Sequence, residues 1–263
     1  MPTLERDDVT LNFEVAGNGP PLLLIAGFMS DNASWTPLVP LLQHAFTCIA
    51  VDNRTTGRTT PWDAPVSIPL MAGDALALMD HLGHERFHVV GHSMGGIVAL
   101  HMAKTAATRI ASAHVAASAP VRLPRNTALF QNLIAIRRSN APADTWLRTL
   151  FPWLFNPRVY ENPAMVDQAV ADALAYPFPQ SAEAMEHQLT ALRGFDGTAL
   201  AQPVCPTQAL IGALDLIVPP DHILAVLGHL PHHMIEQAGH SIHWDAPDTV
   251  ADLIKRFAAK HPI

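Results

Sequence analysis

The sequence predicts an α/β fold: a mostly parallel, eight-stranded sheet with helices on both faces, and a helical lobe inserted in its middle third. Three observations predict it. Short apolar runs rich in Val, Ile and Leu alternate with segments whose apolar residues recur at helical spacing. One such run, Phe87-His88-Val89-Val90, passes through Gly91-His92-Ser93-Met94-Gly95 straight into a helical segment. From 121 to 200 strand character disappears, and prolines at 124, 142, 152, 157, 163, 177 and 179 interrupt short helical pieces.

In chain order, Leu4 to Glu14 alternates loosely around Asp7-Asp8, as an antiparallel hairpin would. Gly17-Asn18-Gly19-Pro20-Pro21 is a turn, and Leu22 to Ala26 is an apolar run buried on both faces. A short helix is expected over Trp35 to Leu42, then a strand from Phe46 to Val51. Met71, Ala75, Leu78 and Leu82 form one helical stripe, with Gly83 as its stop. Ile110 to Ala117, Pro206 to Ile211 and His232 to Gln237 supply the remaining strands, and Pro247 to Lys260 is a closing helix. Residues 1–120 and 201–263 thus form one core domain, with 121–200 as a helical insertion.

Composition narrows the functional classes. With 49% hydrophobic residues in 263, the chain has ample material for a large core. A net charge of −7 argues against nucleic acid, whose phosphates require concentrated Lys and Arg. The longest early apolar run is too short to cross a bilayer. No early segment pairs basic residues with an apolar run and a small-residue cleavage site, so a cytoplasmic location is expected, with no membrane partner. Cys48 and Cys205 lie in or beside predicted strands and read as free packed thiols. His229, His232, His233, His240 and His243 cluster late in the chain. His-Glu-x-x-His and thiol pairs with zinc spacing are absent, so no metal site is assigned.

The chemistry concentrates at Ser93. A strand turning at once into a helix strains its middle residue, and the backbone passes so close that Gly91 and Gly95 can carry no side chain. The hydroxyl is left at the tip, and the Met94 amide sits at a helix N-terminus suited to an oxyanion. Serine needs a base, histidine suits that role near neutral pH, and the imidazolium needs a carboxylate. Asp215 and His240 both follow strands at the C-terminal end of the sheet, the end that also carries Ser93. Asp196 and Asp221 are the rival acids. His92 and His243 read as supporting or surface groups.

Ser93 within Gly-x-Ser-x-Gly, followed in chain order by Asp215 and His240, resembles the α/β-hydrolase family over nearly the whole chain. The resemblance is strong in the two core segments and weak in the middle third. It implies that Gly27-Phe28 supplies the second oxyanion donor, the Phe28 N–H, although Ala26 stands where a His usually precedes this glycine. It also implies that Asp52-Asn53-Arg54-Thr55-Thr56-Gly57-Arg58-Thr59 is a structural loop, with Thr55 in place of the usual first glycine. The insertion corresponds to the family's helical cap over the elbow, and Phe28, Trp153 and Ile217 are the expected substrate contacts.

Serine at the elbow separates this chain from the dehalogenase and epoxide hydrolase branches, which need an aspartate there. The expectation is therefore a carboxylic ester hydrolase of the esterase or enol-lactonase kind. It would act without cofactor on a small apolar ester or lactone, as a monomer or homodimer. A C–C bond hydrolase on a vinylogous diketone uses the same side chains. A slow-turnover hydrolase-fold binding or signalling protein is the alternative from another class.

Overall fold

The computed structural model describes residues 2–263. Its eight strands are β1 (Thr3–Glu5), β2 (Thr10–Gly17), β3 (Pro21–Ile25), β4 (Thr47–Val51), β5 (Phe87–His92), β6 (Ile110–Ala116), β7 (Thr207–Gly212) and β8 (His232–Ile235). They form one sheet in the order β1-β2-β4-β3-β5-β6-β7-β8. The β1–β2 and β2–β4 pairs are antiparallel, and every later pair is parallel. The expected hairpin, strand number and direction are therefore those observed.

Side chains alternate across β3, and the alternation separates two cores. Leu23 and Ile25 pack with the stripe Met71, Ala75 and Leu78 of α2 (Ile68–His81) and with Val98 and Met102 of α3 (Met94–Thr105). Leu22 and Leu24 face the opposite side. There they meet Trp35, Leu42 of α1 (Val39–Leu42), and Val250 and Ile254 of the closing helix Pro247–Ala258. Gly83 ends α2 with φ +75, and His84 N–H reaches back to Met79 O at 2.8 Å, a left-handed helix stop.

The helix expected over Trp35 to Leu42 is instead a 3₁₀ turn, Asn32–Trp35, followed by the single turn of α1. Pro37 and Pro40 explain the break, because neither has an N–H for a continuous helical ladder. The eighth strand likewise stops at Ile235, where Ala238 N–H turns back onto its carbonyl at 3.2 Å.

Between β6 and β7 the chain runs through α4 (Pro124–Arg137), α5 (Thr145–Leu154), α6 (Pro163–Ala175) and α7 (Ala182–Arg193). Leu129 and Leu133 of α4 join Met185 and Leu189 of α7 in a core shared with Val115, Ile217 and Ile223 of the main body. Leu147, Phe151, Val166 and Val170 form a smaller core inside the insertion. After β7 come α8 (Pro220–Leu227), α9 (Ile242–Asp245) and α10 (Pro247–Ala258). No helix among the described residues is long and apolar enough to cross a membrane.

Candidate active site

Ser93 joins β5 to α3 with φ 52 and ψ −119, a conformation ordinary side chains avoid. Its neighbours hold it there: Ser93 N–H donates to Ala116 O at 2.9 Å, and Ser118 Oγ donates to Ser93 O at 2.6 Å. A Cβ on Gly91 would collide with Gly95 O, and one on Gly95 with Ile25 O. The two glycines are thus required by the closeness of α3 to β5 and β3. Among the described residues, neither Met94 N–H nor Phe28 N–H donates to a protein acceptor. A Cβ on Gly27 would lie 3.1 Å from Ser93 Cβ, so the Gly27–Phe28 peptide borders the serine side chain.

Asp215 follows β7 and is 2% exposed. Its Oδ1 accepts Ile217 N–H and Val218 N–H, both at 2.8 Å, while Oδ2 faces His240 Nδ1 at 2.9 Å. Two backbone donors fix the carboxylate, and the carboxylate in turn fixes the imidazole with Nδ1 protonated. The rival acids lie elsewhere: Asp196 is exposed and caps Thr198, and Asp221 is exposed in the first turn of α8.

The loop carrying His240 is fastened at both ends. Asp245 Oδ2 accepts Gly239 N–H at 2.8 Å and Asn156 N–H at 2.9 Å, and Ser241 N–H donates to Leu154 O at 2.8 Å. His92 and His243 are not surface groups, since both are buried. Burial, then the neighbouring His243 and His240, hold His92 well below its ordinary range, so it is neutral. Its Nε2 donates to His240 O at 2.9 Å, and its ring packs 4.8 Å from that of His240. No hydrogen bond within 3.5 Å joins Ser93 Oγ to His240 in this structure.

A cavity of about 370 Å³ opens over Ser93. Its walls are largely apolar, with Phe28, Met94 and Ile217 from the main body and Phe130, Leu189 and Leu192 from the insertion. Phe28 meets Phe130 edge-on with centroids 4.7 Å apart. Trp153, expected among the substrate contacts, does not line this cavity. Its indole instead lies 5.3 Å beneath the guanidinium of Arg125, which is itself tied to Leu216 O.

Sequence reasoning missed Phe130, Leu189 and Gln188. Gln188 carried a usable signal: a glutamine in the buried stripe Ala184, Met185, Gln188, Leu189 has to find hydrogen-bond partners inside.

The profile of the family described as "Alpha/beta hydrolase family" matches residues 22–253. The RutD protein of Azorhizobium caulinodans, assigned as a carbamate hydrolase, is 27% identical over 268 residues, covering 99% of each chain. A thermophilic esterase from Thermogutta terrifontis superposes with a TM-score of 0.82 at 25% identity, over 97% of this chain and 95% of that one. The enol-lactonase from Burkholderia xenovorans LB400 gives 0.83 at 21% identity, over 98% and 100%, a likeness of fold.

Proposed function

The chain belongs to the alpha/beta hydrolase family, and from that premise we propose that it is a serine hydrolase cleaving small apolar carboxylic esters or lactones through an acyl-enzyme. The observation carrying this reading is the strained Ser93 lining the cavity beside two unused amides, with a His240 bound to Asp215 and tied through its own carbonyl to His92, the residue before the serine.

In this mechanism His240 Nε2 takes the Ser93 proton as the oxygen attacks the acyl carbon. Negative charge on the tetrahedral oxygen falls to Phe28 N–H and Met94 N–H, donors fixed in place before the reaction begins. His240 returns the proton to the departing alcohol, leaving Ser93 acylated. Water, deprotonated by the same imidazole, then attacks the acyl carbon. As the bond to Ser93 Oγ breaks, His240 passes that proton to the serine oxygen, releasing the acid. The reading requires Ser93 Oγ and His240 Nε2 to close to hydrogen-bond distance when substrate binds, as such contacts commonly do. A cavity of about 370 Å³ with apolar walls suits a small hydrophobic acyl or alcohol group.

Full-length similarity to RutD favours a second reading, carbamate hydrolysis, in which Ser93 is carbamoylated rather than acylated. One panel of chromogenic esters, lactones and aryl carbamates, run on wild type and Ser93→Ala, tests both. Ester or lactone turnover that vanishes in Ser93→Ala is expected. Preferential carbamate turnover transfers the assignment to the second reading, and full activity in Ser93→Ala refutes both. Multiple turnover also separates an enzyme from a slow hydrolase-fold receptor.

A further inference from the structure

The insertion and the loop leaving β3 share one buried chain of amides. Gln188 on α7 has no exposed surface, and its Oε1 accepts Met29 N–H at 3.2 Å. Its Nε2 donates to Arg54 O at 3.4 Å. Gln180 donates to Thr55 O at 3.1 Å, to Thr55 Oγ1 at 2.9 Å and to Gln188 Oε1 at 3.3 Å. These contacts fix which end of the Gln188 amide faces Met29: a flipped amide would set donor against donor.

Met29 has good reason to need holding. Gly27 to Ser30 is a turn closed by Ser30 N–H on Gly27 O at 3.3 Å, with Met29 in its third position at φ 64. That position of such a turn normally takes glycine or asparagine. A methionine there would relieve its positive φ by rotating the Phe28–Met29 peptide, a change that shifts the Phe28 backbone bonded to it. The Gln188 oxygen opposes that rotation by holding Met29 N–H. Phe28 stands at the centre of the turn: its own N–H is unused, and its ring lines the cavity.

We infer that Gln188 is a positioning residue. By holding Met29 N–H, it keeps the Gly27–Ser30 turn in the form that leaves Phe28 N–H available to the oxyanion. The inference rests on the acyl-transfer reading, and it makes the inserted helices part of the catalytic frame as well as a wall of the cavity.

Three variants test it: Gln188→Met keeps the volume and removes the acceptor, Gln188→Glu restores an acceptor oxygen, and Ser93→Ala reports on the reading beneath. Active sites are counted by fluorophosphonate labelling and folding is followed by near-UV circular dichroism, so that kcat refers to folded enzyme. Gln188→Met is expected to lower kcat and the labelling rate together by roughly 10- to 100-fold, the scale of a small misplacement at a reacting centre, with KM little changed. Gln188→Glu is expected to recover a large part of that loss. Wild-type kcat in folded Gln188→Met, or equal losses in both Gln188 variants, overturns the positioning role while a dead Ser93→Ala leaves acyl transfer standing. An active Ser93→Ala overturns both.

Discussion

Asp215 accepts three hydrogen bonds, and their arrangement decides what its replacement does. Ile217 N–H and Val218 N–H both need an oxygen at Oδ1, so the carbonyl oxygen of Asp215→Asn would be held there. The new NH₂ would then face His240 Nδ1, a donor toward the atom that now carries a proton. The imidazole has to move its hydrogen to Nε2, the nitrogen that in the proposed mechanism accepts from Ser93. Asp215→Asn is therefore expected to stay folded and to lose activity by roughly 10⁴-fold, leaving a small remainder from the oxyanion donors. Steady-state kinetics on the best substrate of the panel checks this. A loss under tenfold would place the acid elsewhere.

At the scale of elements, the elbow depends on how close α3 comes to β3. Gly95→Ala drives a methyl into Ile25 O, which has no side-chain freedom to yield. The expected outcome is destabilisation of roughly 1–3 kcal/mol or more, the usual scale of overpacking, read as a lower denaturant midpoint. The loop after β4 is pinned differently. Arg54, 2% exposed, bonds Asp74 at 2.5 and 3.0 Å, Asp8 at 2.7 and 2.9 Å, and Pro65 O at 2.7 Å. Arg54→Ala leaves the buried Asp74 only the looser contact with Arg6 at 3.8 Å. A loss of about 3–5 kcal/mol is expected in urea unfolding. Much of this was legible beforehand because it is local: apolar runs mark the strands, and glycine spacing marks the elbow. Asp215 and His240 were legible because each sits just past a strand end. The cavity wall was not, since Phe130 and Leu189 reach it only through packing between distant segments, and Gln188 meets Met29 in the same way. Trp153 has the composition of a pocket residue, but Arg125 covers its ring.

Across the whole molecule, the buried histidines set a direction of pH sensitivity. His88 Nδ1 meets Ser112 Oγ at 2.7 Å, Ser112 Oγ meets His114 Nε2 at 3.1 Å, and Gln208 Nε2 donates to His114 Nδ1 at 2.8 Å. Burial lowers His88 to about 4, and His114 and His243 to about 3. Unfolded histidine binds its proton near 6.5, so the stability these groups support is full above that pH and is lost as pH falls toward 4. The buried carboxylates Asp31, Asp52 and Asp245, raised above 3.8 by burial, act in the opposite sense. Urea midpoints for wild type are expected to drop between pH 7.5 and 5. His114→Gln is expected to be weaker at pH 7.5 with a shallower slope; an equal slope would show that His114 does not carry the effect.

Leu154 and Asn156 clasp the loop of His240, while Gln188 clasps the turn beside Phe28. Transplanting the whole span 121–200 from a relative would therefore exchange the chamber's ceiling and, with it, the fasteners of both loops. Engineers seeking new selectivity are better served by retaining that scaffold and resculpting single positions such as Phe130 or Leu189, whose side chains line the cavity and make none of the hydrogen bonds that fasten the two loops.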